Sequence, residues 1–160
     1  KSGWVLENGA LTGNDNPNAD PEILVAIGEL ATSIGSADIT EIEFITTAFD
    51  VSAGGTIQVR VRFNEAVDVT GTPQLTVVND SRANHTLSYA SGTGSNELVF
   101  SLTIAAGGGG VIAEDDVLSI GANATALNGG TIKDAGTSTV STITNAAGVG
   151  TAAGTITVVA

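Results

Sequence analysis

Cysteine is absent from this chain of 160 residues, and histidine occurs only once. Without cysteine there is no disulfide, no thiolate metal site and no cysteine nucleophile. One histidine also excludes a zinc site built on a histidine pair. A serine triad needs only one histidine, but His85 stands in Asn84-His85-Thr86 beside an expected loop, and no Gly-x-Ser-x-Gly motif accompanies it. We therefore expect His85 to be an exposed loop residue and the protein to have no enzyme activity.

Basic residues are scarce, since 5 Lys and Arg stand against 17 Asp and Glu and the formal net charge is −12. Binding to duplex nucleic acid needs clustered basic side chains that displace counterions from phosphate, so we expect no nucleic-acid partner. Anionic lipid is disfavoured for the same reason. The sequence contains neither a readable secretory signal nor an apolar run of about 18 residues, so no membrane partner is expected. Because the chain begins with Lys1 rather than Met, a trimmed fragment and removal of the initiator residue both stay open.

Aromatic residues make up only 4% of the chain, with one Trp and one Tyr. A cleft that cleaves sugars with paired carboxylates is therefore not expected. The hydrophobic fraction is nevertheless 42%, which distinguishes the chain from charge-rich disordered sequences. A core must consist mainly of Ile, Val and Leu, with Phe63, Tyr89 and Phe100 supplying its aromatic mass.

Residues 1–36 are expected to form an N-terminal arm that carries one short helix over residues 21–36. Asp20 suits a helix N-cap, Pro21 suits the first helical position, and Gly35 is a plausible end. The apolar residues at helical spacing are Ile23, Ile27, Leu30 and Ile34. Two interpretations stay open: the helix packs on its own domain, or it docks on a neighbouring subunit.

Residues 37–160 show the alternation of apolar and polar side chains that is typical of strands with one buried face. The clearest apolar series is Ile57, Val59, Val61 and Phe63. Turn formers recur about every 8–12 positions, which predicts short antiparallel strands in a two-sheet sandwich. Residues 136–154 are of low complexity and form either a linker or a weak strand at 140–143. The glycine run at 107–110 should be mobile or lie against another surface.

Motifs over residues 55–134 occur in an order that is specific for a fold but says little about role. They are Gly55-Thr56-Ile57, Phe63-Asn64-Glu65-Ala66-Val67-Asp68-Val69-Thr70-Gly71-Thr72-Pro73-Gln74-Leu75-Thr76-Val77, Leu87-Ser88-Tyr89-Ala90-Ser91-Gly92-Thr93-Gly94-Ser95-Asn96, Leu98-Val99-Phe100 and Ala124-Thr125-Ala126-Leu127-Asn128-Gly129-Gly130-Thr131-Ile132-Lys133-Asp134-Ala135. With them, this segment resembles a repeat-type bacterial immunoglobulin-like domain. The resemblance implies an all-β, immunoglobulin-like two-sheet antiparallel sandwich over residues 37–160. The chain departs from the family at Ala66, where Pro is usual, and at Ala106-Gly107-Gly108, where an Ala-Gly-Asp turn is usual. It also departs at Asp134-Ala135-Gly136-Thr137, where the family has an Asp-Ala-x-Gly-Asn turn.

Calcium is the one cofactor that the sequence brings into consideration. It takes six to eight oxygen ligands from carboxylates, amides and carbonyls. The acidic clusters are Glu114-Asp115-Asp116, Glu65 with Asp68, and residues 14–20. We favour Glu114, Asp115 and Asp116 as metal ligands, because adjacent carboxylates repel one another unless they are neutralised or well hydrated. Solvated acidic loops that keep the surface soluble are the alternative.

An assembly interface is expected in the arm, because the only Trp lies near the start of the chain and interfaces favour Trp. The residues expected to form it are Trp4, Leu6, Ile23, Ile27 and Leu30. The alternative is that Trp4 packs back onto its own domain. The C-terminal segment, residues 154–160, is either the last strand of the sandwich or a strand donated to a neighbour.

Such immunoglobulin-like domains occur as accessory modules on tailed-phage virions and as repeats of long bacterial adhesins. The resemblance thus favours a non-enzymatic structural or decoration protein on the surface of a phage virion, bound to capsid or tail subunits in several copies or as a homo-oligomer. The alternative is a repeat of a secreted, calcium-stiffened bacterial adhesin, or a surface filament subunit, located outside the cell or on the bacterial surface. A cell-surface glycan is a further candidate partner.

Overall fold

The structure, a computed structural model, describes the backbone of residues 2–6 and 22–27 and the whole of residues 35–160. The chain divides into two compact units, Lys1–Gly35 and Ser36–Ala160. Among the described residues, no helix combines the length and the apolar character that a membrane crossing requires.

The first unit contains a pair of antiparallel strands, β1 (Ser2–Leu6) and β2 (Glu22–Ile27), in which Trp4 lies opposite Val25. The prediction of a helix is therefore wrong for Glu22–Ile27. The segment Ile23-Leu24-Val25-Ala26-Ile27 is rich in β-branched residues, which favour extended backbone once a partner strand is present. The remainder of the expected helix up to residue 34 lies outside the described residues.

The second unit is built from ten strands and one short helix, α1 (Ala147–Thr151). The strands are β3 (Ile39–Phe44), β4 (Phe49–Asp50), β5 (Gly55–Thr70), β6 (Gln74–Asn79), β7 (His85–Ser91), β8 (Ser95–Ile104), β9 (Val117–Ser119), β10 (Thr125–Ala126), β11 (Thr131–Asp134) and β12 (Ile156–Val159).

Hydrogen bonds join these strands into one curled sheet in the order β11-β5-β8-β7-β6-β9-β12-β4, with β3 also on β5 and β10 also on β6. The sheet is mixed, because β12 runs parallel to β4 and antiparallel to β9. The all-β class is confirmed. The sheet has the form of a half-barrel, and this hydrogen-bonded path does not separate it into two sheets.

The core follows the alternation that the sequence shows. In β5, Ile57, Val59, Val61 and Phe63 are all buried, while Arg60 on the opposite face is not. The rest of the buried set is mainly aliphatic, as expected from the composition. The two prominent buried aromatic side chains of the central strands are Phe63 and Phe100.

An ion-pair network covers the outer face of β3, β5 and β8. Glu97 accepts hydrogen bonds from Arg62 Nε at 2.7 Å and from Arg60 Nη1 at 3.2 Å. Arg60 also pairs with Glu43, and Arg62 with Glu41. The hydrogen bond from Arg62 lowers the pKa of Glu97. The network therefore connects three neighbouring strands across the polar face of the sheet.

The low-complexity segment, residues 136–154, contains little regular secondary structure. Isolated bridges join Val140 to Lys133 and Thr142 to Asp38, and α1 follows at Ala147–Thr151. The chain here contributes single bridges rather than a continuous strand. Because small residues offer little side-chain area for packing, a longer strand has little to stabilise it.

The glycine run forms a left-handed turn, hereafter the glycine turn, with φ values of 77, 69, 55 and 80° at residues 107–110. Most side chains with a Cβ disfavour this region, so glycine is favoured at these positions. Gly108 is buried, and a Cβ on it would lie 2.7 Å from Val51 Cγ2. Gly108 is the residue of the run that lies against another part of the unit, whereas Gly107, Gly109 and Gly110 are exposed.

Candidate functional site

A buried polar cluster lies where the β6–β7 turn meets the loop before β9. Asn79 ends β6, His85 begins β7 and Asp116 directly precedes β9; their exposures are only 4, 5 and 3%. The expectation that His85 is an exposed loop residue is therefore wrong. His85 occupies an inward position of β7, two residues before the buried Leu87, and strand alternation puts both on the core side.

Asn79 organises this cluster. Its Oδ1 accepts the backbone N–H groups of Ser81 and Arg82, each at 3.0 Å, which fixes the orientation of the amide. Its Nδ2 then donates to Asp116 Oδ2 at 2.9 Å and faces His85 Nε2 at 3.3 Å. An amide NH2 can only donate, so Nε2 must be the acceptor and the imidazole proton must sit on Nδ1. His85 is thus held neutral in one tautomer.

The titration of the cluster agrees with that assignment. Burial lowers the pKa of His85 below its ordinary value of 6.5, although the charge of Asp116 acts in the opposite direction. Burial alone would raise the pKa of Asp116. Hydrogen bonds from Asn79 and the Ala113 N–H, together with the charge of Arg82, reverse that effect and lower the pKa of Asp116. Arg82 Nε lies 3.1 Å from Asp116 Oδ2.

A cavity of about 710 Å³ adjoins this cluster. It lies where two neighbouring strands separate: the β7–β8 ladder ends at Ser88 opposite Ser101, although β7 continues on β6 and β8 continues on β5. Its lining comprises Ser81, Arg82, Ala83, Asn84, His85, Thr86, Leu102, Thr103, Ile104, Ala105, Gly108, Gly109, Gly110 and Val111. The volume is within the range of small-molecule sites.

The expected calcium ligands do not converge. Asp116 is buried and its Oδ2 is occupied by Asn79, Arg82 and the Ala113 N–H, whereas Glu114 and Asp115 are exposed. Within residues 35–160, no three acidic or histidine side chains come close enough together to hold a metal ion. The acidic cluster at residues 14–20 lies outside the described residues. The geometry therefore gives no support to calcium at Glu114, Asp115 and Asp116.

The expected assembly residues belong to the first unit. Trp4 and Leu6 lie in β1, and Ile23 and Ile27 lie in β2, so the structure brings them onto one two-stranded ladder. Their side chains, and the whole of Leu30, lie outside the described residues. The interface itself stays a prediction.

His85 does not form a nucleophile–base pair in the described part of the chain. A histidine that activates Ser or Thr must hydrogen-bond to the hydroxyl. In residues 35–160 the only hydrogen-bond partner of its ring is Asn79, whose amide occupies Nε2. The groups that can donate hydrogen bonds to a bound molecule here are the Nδ1–H of His85 and the guanidinium of Arg82.

Sequence reasoning missed Asn79 and Arg82. Asn79 and Asp116 are 37 positions apart, and no local pattern connects them. The one readable signal was Asn79-Asp80-Ser81, because Asn followed by small polar residues favours a turn in which the side chain caps the backbone. Nothing in that signal indicates a buried partner.

Comparison of the chain with protein-family models, curated proteins and solved structures finds no match in any of the three. The role of the cluster and cavity must therefore be argued from their geometry. The immunoglobulin-like resemblance continues to rest on the sequence motifs alone.

The neutral state of His85 makes stability depend on pH. The folded protein binds the imidazole proton more weakly than the unfolded chain does. The contribution of His85 to the free energy of unfolding is therefore complete above pH 6.5 and is lost as the pH falls toward the pKa of the folded state. We expect the free energy of unfolding to fall between about pH 7.5 and about pH 5.5, measured by urea denaturation. In His85→Gln, whose side-chain carbonyl can still accept from Asn79, this fall should be absent. Equal slopes for both proteins would contradict the assignment.

Proposed function

We propose that this chain is a non-enzymatic structural module of immunoglobulin-like type, displayed on a phage virion through its N-terminal unit. The observation that carries the proposal is the division of the chain into a small two-stranded unit and a larger unit with its own core. A self-contained core can fold without its carrier, and a separate terminal segment is free to bind one.

The immunoglobulin-like part of the proposal is supported by the way strands group around the core. Beyond Ser88 and Ser101, β7 stays with β6 and β8 stays with β5, so the curled sheet separates locally into two strand groups. Side chains from both groups, among them Leu75 and Val59, belong to one buried cluster. We take the two groups as the two layers of a sandwich that remain hydrogen-bonded at one corner.

Docking through the first unit is supported by its strand arrangement. β1 and β2 form a two-stranded ladder, and a hairpin of two strands alone is only marginally stable in water. Each strand of such a ladder has an outer edge that can pair with a strand of another subunit. Docking by strand addition therefore replaces the helix docking that the sequence suggested.

The sole Trp makes this proposal testable. We expect Trp4→Ala to leave the larger unit folded but to weaken co-sedimentation with purified virions by about 30-fold or more, since a buried Trp anchor contributes about 2 kcal/mol or more. Tyr89→Phe, in the larger unit, serves as the matched aromatic control and should co-sediment like the unaltered chain. Trp4 fluorescence should shift to shorter wavelength on docking, and no other Trp obscures it.

Removal of residues 1–35 tests the module itself. The remaining chain should keep a β-rich circular-dichroism spectrum and a single cooperative melt, and it should not co-sediment. An unfolded product would contradict an independent module. Undiminished co-sedimentation of either Trp4→Ala or the shortened chain would contradict docking through this unit.

A further inference from the structure

The cavity beside His85 is lined by hydrogen-bond donors and by no acidic residue of the described ranges. Arg82 is the one charged residue among these lining residues, although the whole chain carries 17 Asp and Glu. His85 is 95% buried, and its Nε2 is engaged by Asn79. Within residues 35–160, Nδ1 has no hydrogen-bond partner, yet it is not among the fully enclosed polar atoms that lack one. The protonated Nδ1 of a buried side chain is thus available to a molecule in the cavity.

Arg82 supplies the second donor. Its Nε lies 3.1 Å from Asp116 Oδ2, which holds the guanidinium in place and leaves the two terminal nitrogens without a partner in the described ranges. Asp116 offsets part of the positive charge. A single partly balanced guanidinium in a chain of net charge −12 suits a ligand with one negative charge better than a phosphate dianion. A carboxylate has that charge and matches the geometry of a guanidinium.

The rest of the lining indicates the body of the ligand. The polar residues of the lining, besides His85 and Arg82, are Ser81, Asn84, Thr86 and Thr103. Leu102, Ile104 and Val111 provide apolar contact, and the glycine turn provides bare backbone. This mixture suits a compact molecule with several hydroxyl groups and some C–H surface.

We propose that this cavity binds a small hydroxylated monocarboxylate, the chemistry of an acidic sugar residue. His85 Nδ1–H and the terminal nitrogens of Arg82 donate to the carboxylate, and the polar lining contacts the hydroxyl groups. The site lies entirely within Ser36–Ala160 and does not depend on the display role proposed above.

The single histidine gives a direct measurement. In the full chain labelled with nitrogen-15, the ring resonances of His85 are the only histidine signals, and they report which ring nitrogen carries the proton. We expect glucuronate to shift the Nδ1 resonance in a saturable manner. Glucose, which lacks the carboxylate, and hexanoate, which lacks the hydroxyl groups, should each bind at least about tenfold more weakly.

A matched pair of variants tests the location. Val111 lines the cavity and is 52% exposed, so substitution there leaves the core intact. Val111→Asp places a negative charge beside the expected carboxylate and should weaken glucuronate binding at least about tenfold relative to Val111→Asn, which has nearly the same size. Val140→Asp adds the same charge at a residue that is exposed but does not line the cavity, and it should bind glucuronate like the unaltered chain.

Three results would overturn the proposal: no saturable shift with glucuronate, equal affinity for glucose or hexanoate, or equal affinity of the two Val111 variants. The competing possibility is that the cavity binds an extended peptide strand. In that case glucuronate would cause no saturable shift. Co-sedimentation of Trp4→Ala reports on docking separately, so failure of this proposal and failure of the display role are distinguishable.

Discussion

Phe100→Ala should lower the free energy of unfolding of the larger unit by about 3–5 kcal/mol. Phe100 is completely buried in β8, the strand that pairs with both β5 and β7. Its ring and that of Tyr89 form a T-shaped pair with centroids 6.1 Å apart. The variant loses the burial of a whole aromatic ring and leaves a cavity at the junction of three strands.

Chemical denaturation followed by far-ultraviolet circular dichroism measures this loss. The matched control is Tyr89→Phe, which keeps the ring but removes the hydroxyl that accepts the Thr93 N–H at 2.8 Å. We expect the control to lose only about 1 kcal/mol. A loss below about 1 kcal/mol in Phe100→Ala would contradict the packing described for β8.

Gly92→Ala should destabilise the hairpin between β7 and β8 by more than about 3 kcal/mol. Gly92 has a φ of 117°, and a Cβ on it would lie 2.0 Å from the Glu97 carbonyl oxygen. The obstacle is backbone, so a rotamer change cannot relieve the clash. The backbone of the hairpin would have to move to accommodate the alanine.

Gly94 provides the matched control in the same loop. Its φ of 80° also lies in the left-handed region, but a Cβ there would have nothing within 4 Å. Gly94→Ala should therefore cost only about 1–2 kcal/mol, from backbone strain alone. Melting temperatures of the two variants compare them directly. Equal losses would mean that strain, and not the contact with Glu97, determines the requirement for glycine.

The sequence predicted the strands in which apolar and polar residues alternate. The apolar series from Ile57 to Phe63 is long and strictly periodic, and burial of one face follows directly. The segment Glu22–Ile27 was ambiguous, because its apolar residues satisfy helical spacing and also form a continuous apolar run rich in β-branched side chains. Pairing with β1 stabilises the strand conformation of β2. Such pairing cannot be recognised from the sequence of β1 or of β2 alone.

The candidate site was largely beyond the reach of sequence reasoning. Its central contacts join Asn79 to Asp116, far along the chain, and the burial of His85 depends on which face of β7 it occupies. The run Glu114-Asp115-Asp116 suggested a metal site because three carboxylates stand together in sequence. The fold separates them by turning Asp116 inward, where an amide and a guanidinium neutralise it.

The glycine turn limits how this region can change during evolution. Each of its residues adopts the left-handed backbone conformation, and replacement by most L-amino acids costs about 1–2 kcal/mol per position. Substitutions at residues 107–110 are therefore disfavoured by backbone strain, independently of the contacts that the turn makes. Variation in ligand preference is therefore expected at lining residues that carry side chains, such as Asn84, Thr103 and Val111, rather than at the glycines.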